Sequence, residues 1–77
     1  MKLNEAIAKR LSDILSERNL TPYAVAQKGG IAKQIVYAAV NGEYKKVSVD
    51  TVYQIAATLD MSLEEFFGDP VFSEIDD

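Results

Sequence analysis

The sequence predicts an all-α domain of five short helices, and three observations predict it. Apolar residues recur at three- and four-residue spacing along most of the chain, the period of a helix with one buried face. Residues with cap or turn chemistry (Thr21-Pro22, Gly29-Gly30, Asn41-Gly42, Ser48) punctuate that pattern at short intervals. No stretch alternates apolar and polar residues as a half-buried strand would, and no internal repeat or low-complexity linker interrupts the chain. At 77 residues, 48% of them hydrophobic, the chain suffices for one domain with a real core and modest stability.

Each element follows from its residues. In the first helix Leu3, Ile7, Leu11, Ile14 and Leu15 form the apolar stripe, with Glu5, Lys9, Asp13 and Glu17 on other faces. Asn4 is its expected N-cap, and it is expected to end near Arg18 or Asn19, because Asn tolerates the left-handed conformation at a helix end. "TPYAVAQKG" opens the second helix, with Thr21 as cap and Pro22 at the first position, where its missing N–H is no loss. Val25 and Ala26 face inward, and Gly29 or Gly30 ends the helix. Ile31 plugs the core from the turn. A third helix runs from about Lys33 to Val40, with Val36, Ala39 and Val40 inward and Asn41-Gly42 as the stop. Ser48 caps a fourth helix whose inward residues are expected to be Val49, Val52, Ile55, Ala56 and Leu59. "SLEE" matches a capping box, with Ser62 as cap and Glu65 three residues on, and starts a short fifth helix. Residues 1–68 are taken as the domain and 69–77 as an acidic C-terminal tail, frayed or lightly docked.

Composition removes several function classes. The chain has no cysteine and no histidine, so it lacks disulfides, thiolate zinc sites and the commonest general base and metal ligand. No glycine loop cradles a phosphate, and a bundle this small encloses no paired-carboxylate cleft. No enzyme activity and no cofactor are expected. The acidic C-terminus lacks the alternating ligands and turn glycine of a calcium loop. The absence of a membrane-length apolar run or a signal-peptide core, together with the missing cysteines, leads us to expect a cytoplasmic protein.

The net charge of −4 argues against nucleic acid until its distribution is read. All eight basic residues lie between Lys2 and Lys46, against five acids in residues 1–59, whereas residues 60–77 hold seven acids and no base. Two local fields of opposite sign result, and the total describes neither.

The second and third helices, joined across Gly29-Gly30, have the spacing of a helix-turn-helix: Ala26 as the small contact, Gly30 four residues on as the turn, Val36 six further as the residue that locks the third helix down. With these pieces in order, "AIAKRLSDILSERNLTPYAVAQKGGIAKQIVYAAVNG" and "VSVDTVYQIAATLDMSLEEFF" resemble the phage-repressor/Cro-type (XRE-like) helix-turn-helix domains over residues 4–67. The resemblance implies a five-helix repressor-like DNA-binding domain whose third helix enters the major groove of double-stranded DNA. It implies base contacts from Lys33, Gln34, Tyr37 and Ala38, and a backbone contact from Asn41. Thr21, Lys28, Tyr44, Lys45 and Lys46 are added as candidate contacts to the DNA backbone, where they position the protein without reading sequence. Side-chain chemistry agrees: Lys donates to guanine O6 and N7, and Gln pairs with adenine N6 and N7. With roughly three to four lysine–phosphate contacts per subunit, a dimer's log-log salt slope would be on the order of −5 to −7.

The sequence departs from the family pattern at four positions. Pro22 replaces a residue that is often Gln and contacts a phosphate. Ala32 stands where Ser or Thr usually caps the third helix, Ile35 where a polar or small residue is usual, and Asp60 where a helix-ending Gly is preferred. Two readings of function therefore stay open. The first is a sequence-specific DNA-binding transcriptional regulator, a repressor, acting as a homodimer through the C-terminal apolar residues Phe66, Phe67, Val71, Phe72 and Ile75, except that one of Phe66 and Phe67 is expected to pack into the core. The second is a protein-interaction module of the same fold, with a regulator or toxin as partner, in which Ile35, Tyr37 and Ala38 meet protein instead of DNA. The same C-terminal apolar residues also have a second possible use, folding back on their own domain.

Overall fold

The computed structural model describes residues 1–43 and 47–76. Its elements are α1 (Leu3–Arg18), α2 (Pro22–Gly29), α3 (Lys33–Asn41), α4 (Val49–Thr58) and α5 (Leu63–Phe67), followed by a 3₁₀ turn at Pro70–Glu74; the described residues include no strand. The expected all-α, five-helix architecture is what the chain adopts. No helix is long and apolar enough to cross a membrane among the described residues.

The core is built from the predicted stripes. Ile7, Leu11, Ile14 and Leu15 of α1 meet Val25 and Ala26 of α2, Val36 and Ala39 of α3, Val52, Ile55 and Ala56 of α4, then Leu59 and Phe66. Ile31 packs against this cluster from the turn, as its isolated apolar character predicts. No polar or charged residue is buried among the described residues, so the core carries no desolvated group that needs a partner.

Three caps read from sequence are present. Thr21 Oγ1 accepts from Ala24 N–H at 3.1 Å, Ser48 Oγ from Thr51 N–H at 3.1 Å, and Ser62 Oγ from Glu65 N–H at 3.0 Å. The Ser62 N–H donates back to Glu65 Oε1 at 3.1 Å, which completes the capping box. That bond holds the Glu65 carboxyl below its ordinary value of 4.5. Asn19 and Asp60 take the left-handed conformation, at φ 54° and 58°, at the ends of α1 and α4.

The two adjacent glycines are needed for different reasons. Gly30 sits at φ 64° and its N–H closes the end of α2 on the Ala26 and Gln27 carbonyls. Gly29 is still helical, and the constraint there is space. A Cβ would overlap Thr58 Oγ1 of α4 and lie 3.0 Å from Ile31 Cδ1. Hydrogen lets α2 approach α4 while Ile31 folds beneath the turn.

Several expectations are corrected. Asn4 is not the N-cap of α1. The helix starts two residues earlier, with Lys2 at the cap position, and the Lys2 N–H donates to Glu5 Oε1 at 2.7 Å. Asn4 instead donates its Nδ2 to the Gly42 carbonyl at 2.9 Å, tying α1 to the end of α3. Leu3 is 47% exposed, because the core begins one turn later at Ala6 and Ile7; an apolar residue on the right face is not forced inside when no neighbour covers it. Val49 is 67% exposed. Val47, just before the cap, packs against the core in its place, in the staple position relative to Val52.

The segment after Gly68 is docked. Val71 is buried and Phe72 packs against the core. Arg10 of α1 holds the segment: Nε donates to the Phe66 carbonyl at 2.9 Å, Nη2 to the Glu65 carbonyl at 2.9 Å, and Nη1 pairs with Asp69 at 3.3 Å. Asp69 in turn accepts from Val71 N–H at 2.9 Å. Asp76 pairs with the Met1 amine, and its N–H donates to the Met1 carbonyl at 3.1 Å. Phe66 and Val71 therefore fold back on their own domain. Phe67, 36% exposed, remains at the surface with the half-buried Phe72 and Ile75, and its ring stands edge-on to Phe66 and Phe72 at 5.1 and 4.9 Å.

Candidate nucleic-acid interface

The site begins with the way α3 is held. Val36 and Ala39 are buried, and α3 packs on both α1 and α2. Its last turn closes at Gly42, φ 70°, where the Gly42 N–H reaches the Ala39 carbonyl and the Glu43 N–H reaches the Ala38 carbonyl at 2.9 Å. The Asn4–Gly42 bond fixes that end from below. At its start, Ala32 has no side-chain acceptor, so the first N–H groups of α3 face outward without a cap.

With Val36 and Ala39 inward, helical geometry turns Lys33, Gln34, Tyr37 and Asn41 to one outward side. All four are exposed, Tyr37 at 39%, and Ala38 is half-buried beside them. The helix sequence KQIVYAAVN contains no acid. The face offers an ammonium, two carboxamides and a phenol, all capable of donating hydrogen bonds, on a rigidly seated helix. Ile35 is half-buried at its margin.

The remaining candidates are placed differently. Thr21 is exposed, and its Oγ1 is occupied as an acceptor by the α2 cap, which leaves its O–H to donate. Lys28, in the last turn of α2, lines a shallow hollow of about 60 Å³ with Arg18, Leu20 and Thr58, alongside the ends of α1 and α4. Lys28 is exposed there beside Arg18. Tyr44, Lys45 and Lys46 lie outside the described residues.

Both arginines are committed to the fold. Arg10 clamps the C-terminal segment, and Arg18 donates to the Leu59 carbonyl at the end of α4. Lys9 pairs with Asp13 at 2.7 Å. Lys33 forms no ion pair among the described residues, so its charge is available to a ligand on the α3 face.

Two further polar residues, Gln27 and Glu43, were not singled out by sequence. Gln27 Nε2 donates to Tyr23 Oη at 2.8 Å on the exposed side of α2, leaving the phenol O–H free to donate. Their i, i+4 spacing was a usable signal. Glu43 Oε2 accepts from Asn41 Nδ2 at 3.1 Å, which puts an acid beside the end of the outward face. Their separation by the single residue Gly42 gave no periodic signal, since the contact depends on the Gly42 turn.

Comparison with known proteins agrees with the fold. The family model described as the Cro/C1-type HTH DNA-binding domain matches residues 10–70. The structure is similar to the crystal structure of the prophage Lp1 protein 11, with a TM-score of 0.79 and 29% sequence identity over 97% of this chain and 100% of that one. No curated protein sequence matches the chain significantly. With helix, turn and helix in place and the family model spanning most of its length, the chain belongs to the Cro/C1-type helix-turn-helix DNA-binding domains.

Proposed function

We propose that this protein is a cytoplasmic transcriptional regulator, a repressor, that reads operator DNA by inserting α3 into the major groove. The observation that carries the reading is the acid-free outward side of α3, where Lys33, Gln34, Tyr37 and Asn41 stand together on a helix locked by Val36 and Ala39. In this reading Lys33 donates to guanine O6 and N7, and Gln34 pairs with adenine N6 and N7. Tyr37 and Ala38 meet bases or thymine methyls, and Asn41 with Thr21, Lys28, Tyr44, Lys45 and Lys46 meets the backbone. The protein acts as a homodimer on two half-sites about one helical turn apart, joined through the remaining surface of Phe67, Phe72 and Ile75.

A second reading, a protein-interaction module, draws support from two observations: both arginines are bound within the fold, and Pro22 and Ala32 offer no side-chain donor where the family often has one. Selection from a random DNA library at low salt, followed by a salt titration, separates the two. An enriched palindrome with a steep salt slope is the expected result. Absence of enrichment, with a protein partner recovered in its place, supports the second reading and refutes the first.

A further inference from the structure

We propose that Glu43 is an electrostatic brake on the sequence-independent part of DNA binding, acting by competing with phosphate for the Asn41 amide. The inference rests on the reading that the outward side of α3 faces DNA. The geometry carries the rest. Asn41 is the last residue of α3, and Gly42 at φ 70° turns the chain so that Glu43 comes back over it. The backbone of that turn is pinned twice, by Glu43 N–H on the Ala38 carbonyl and by Asn4 on the Gly42 carbonyl. The Glu43 carboxylate then accepts from Asn41 Nδ2 at 3.1 Å, with both side chains exposed.

A carboxylate and a phosphate are both acceptors only, so they ask for the same donor. The Asn41 nitrogen carries two protons and can serve both at once. In that arrangement the two anions, each hydrogen-bonded to one nitrogen, stand roughly 5 Å apart. Like charges at that distance repel even in water, and more strongly beside a protein surface that displaces water. Binding therefore either breaks the Asn41–Glu43 bond or accepts the repulsion. Base recognition at Lys33 and Gln34, at the other end of α3, is untouched. Glu43 thus weakens contact with every DNA sequence by a similar factor and leaves the ratio between sequences alone.

The test uses the full chain and a fluorescently labelled random-sequence DNA duplex, titrated by anisotropy across a salt series. Glu43→Gln keeps an acceptor for Asn41 and removes the charge. It is expected to bind the duplex about three- to tenfold more tightly than wild type at low salt, with the gain shrinking as salt screens the repulsion. In an Asn41→Ala background the same change is expected to gain much less, because the contested donor is gone. An equal gain in that background overturns the competition for Asn41. If wild type binds with a steep salt slope and Glu43→Gln binds equally or more weakly, the brake is overturned and the DNA reading stands. If neither binds at low salt, the DNA reading fails and takes the brake with it. Glu43→Ala, which removes acceptor and charge together, is expected to bind at least as tightly as Glu43→Gln; weaker binding would instead make Glu43 a positioning residue for Asn41 and overturn the brake.

Discussion

Gly29→Ala tests the close approach of α2 to Thr58 of α4. In a free helix the change would stabilise by about 1 kcal/mol, since glycine is the poorer helix former. Here the new methyl overlaps Thr58 Oγ1 and comes within 3.0 Å of Ile31 Cδ1. Overpacking of this kind costs about 1–3 kcal/mol, so the single variant should be destabilised by up to about 2 kcal/mol after the helix gain is subtracted. The clash has an identifiable partner. Thr58→Ala removes Oγ1 and its bond to the Gln54 carbonyl at 2.8 Å, a loss of about 0.5–1.5 kcal/mol. In that background only the flexible end of Ile31 must move, and Gly29→Ala should become neutral or stabilising. The predicted coupling between the two positions is then about 1–3 kcal/mol, well above the scatter of additive pairs. Urea unfolding followed by circular dichroism on the four-protein cycle measures it. Additive effects within about 0.5 kcal/mol would refute the claim that position 29 is limited by Thr58. Gly30→Ala is the control: nothing lies within 4 Å of its added Cβ, so its loss comes from the φ of 64° alone and should be the same with or without Thr58.

Three further outcomes follow from the caps and clamps. Ala32→Ser should stabilise the domain by about 1 kcal/mol by supplying α3 with the acceptor it lacks, and an unchanged urea midpoint would count against the open N-terminus described for α3. Arg10→Ala should cost about 2 kcal/mol or more through loss of three charge-assisted bonds. Arg10→Lys should recover little of this, because an ammonium cannot span two carbonyls and Asp69 in the guanidinium's fork geometry; full recovery in thermal unfolding would show that charge alone matters. Glu65 contributes stability that is complete above its ordinary value of 4.5 and lost as pH falls through its lowered folded value. Glu65→Gln keeps the box without the titration, so the wild-type advantage in urea midpoint should shrink below pH 4.5, and an advantage that stays constant with pH would contradict this assignment.

Most of the fold is legible in the sequence because local chemistry sets it. Thr21, Ser48 and Ser62 cap what they are spaced to cap, and Asn19, Gly30 and Asp60 end helices where a left-handed residue is needed. The outward side of α3 is legible for the same reason, since burying Val36 fixes where Lys33 and Tyr37 point. The failures share a cause. Arg10 meets Asp69 across 59 positions, and Asn4 meets Gly42 across 38, so no periodicity announces either. The docking of the C-terminal segment hangs on that arginine, so the sequence left open whether Val71 and Phe72 fold back on the domain, as they do, or face a partner. Val49 and Leu3 fit their helical stripes but sit in first turns that the core does not reach. Glu43 escaped because its contact with Asn41 exists only once Gly42 has turned the chain.

The central claim is that the outward side of α3 reads bases. The most direct measurement is the affinity of wild type and of Lys33→Ala/Gln34→Ala for a selected operator and for a scrambled duplex, at one fixed salt concentration. Each bidentate base contact contributes about 1–3 kcal/mol of discrimination, so the double variant should lose about one to four decades of preference per half-site while keeping much of its affinity for the scrambled duplex. An operator preference that survives the double substitution intact would contradict the account and place the reading surface elsewhere.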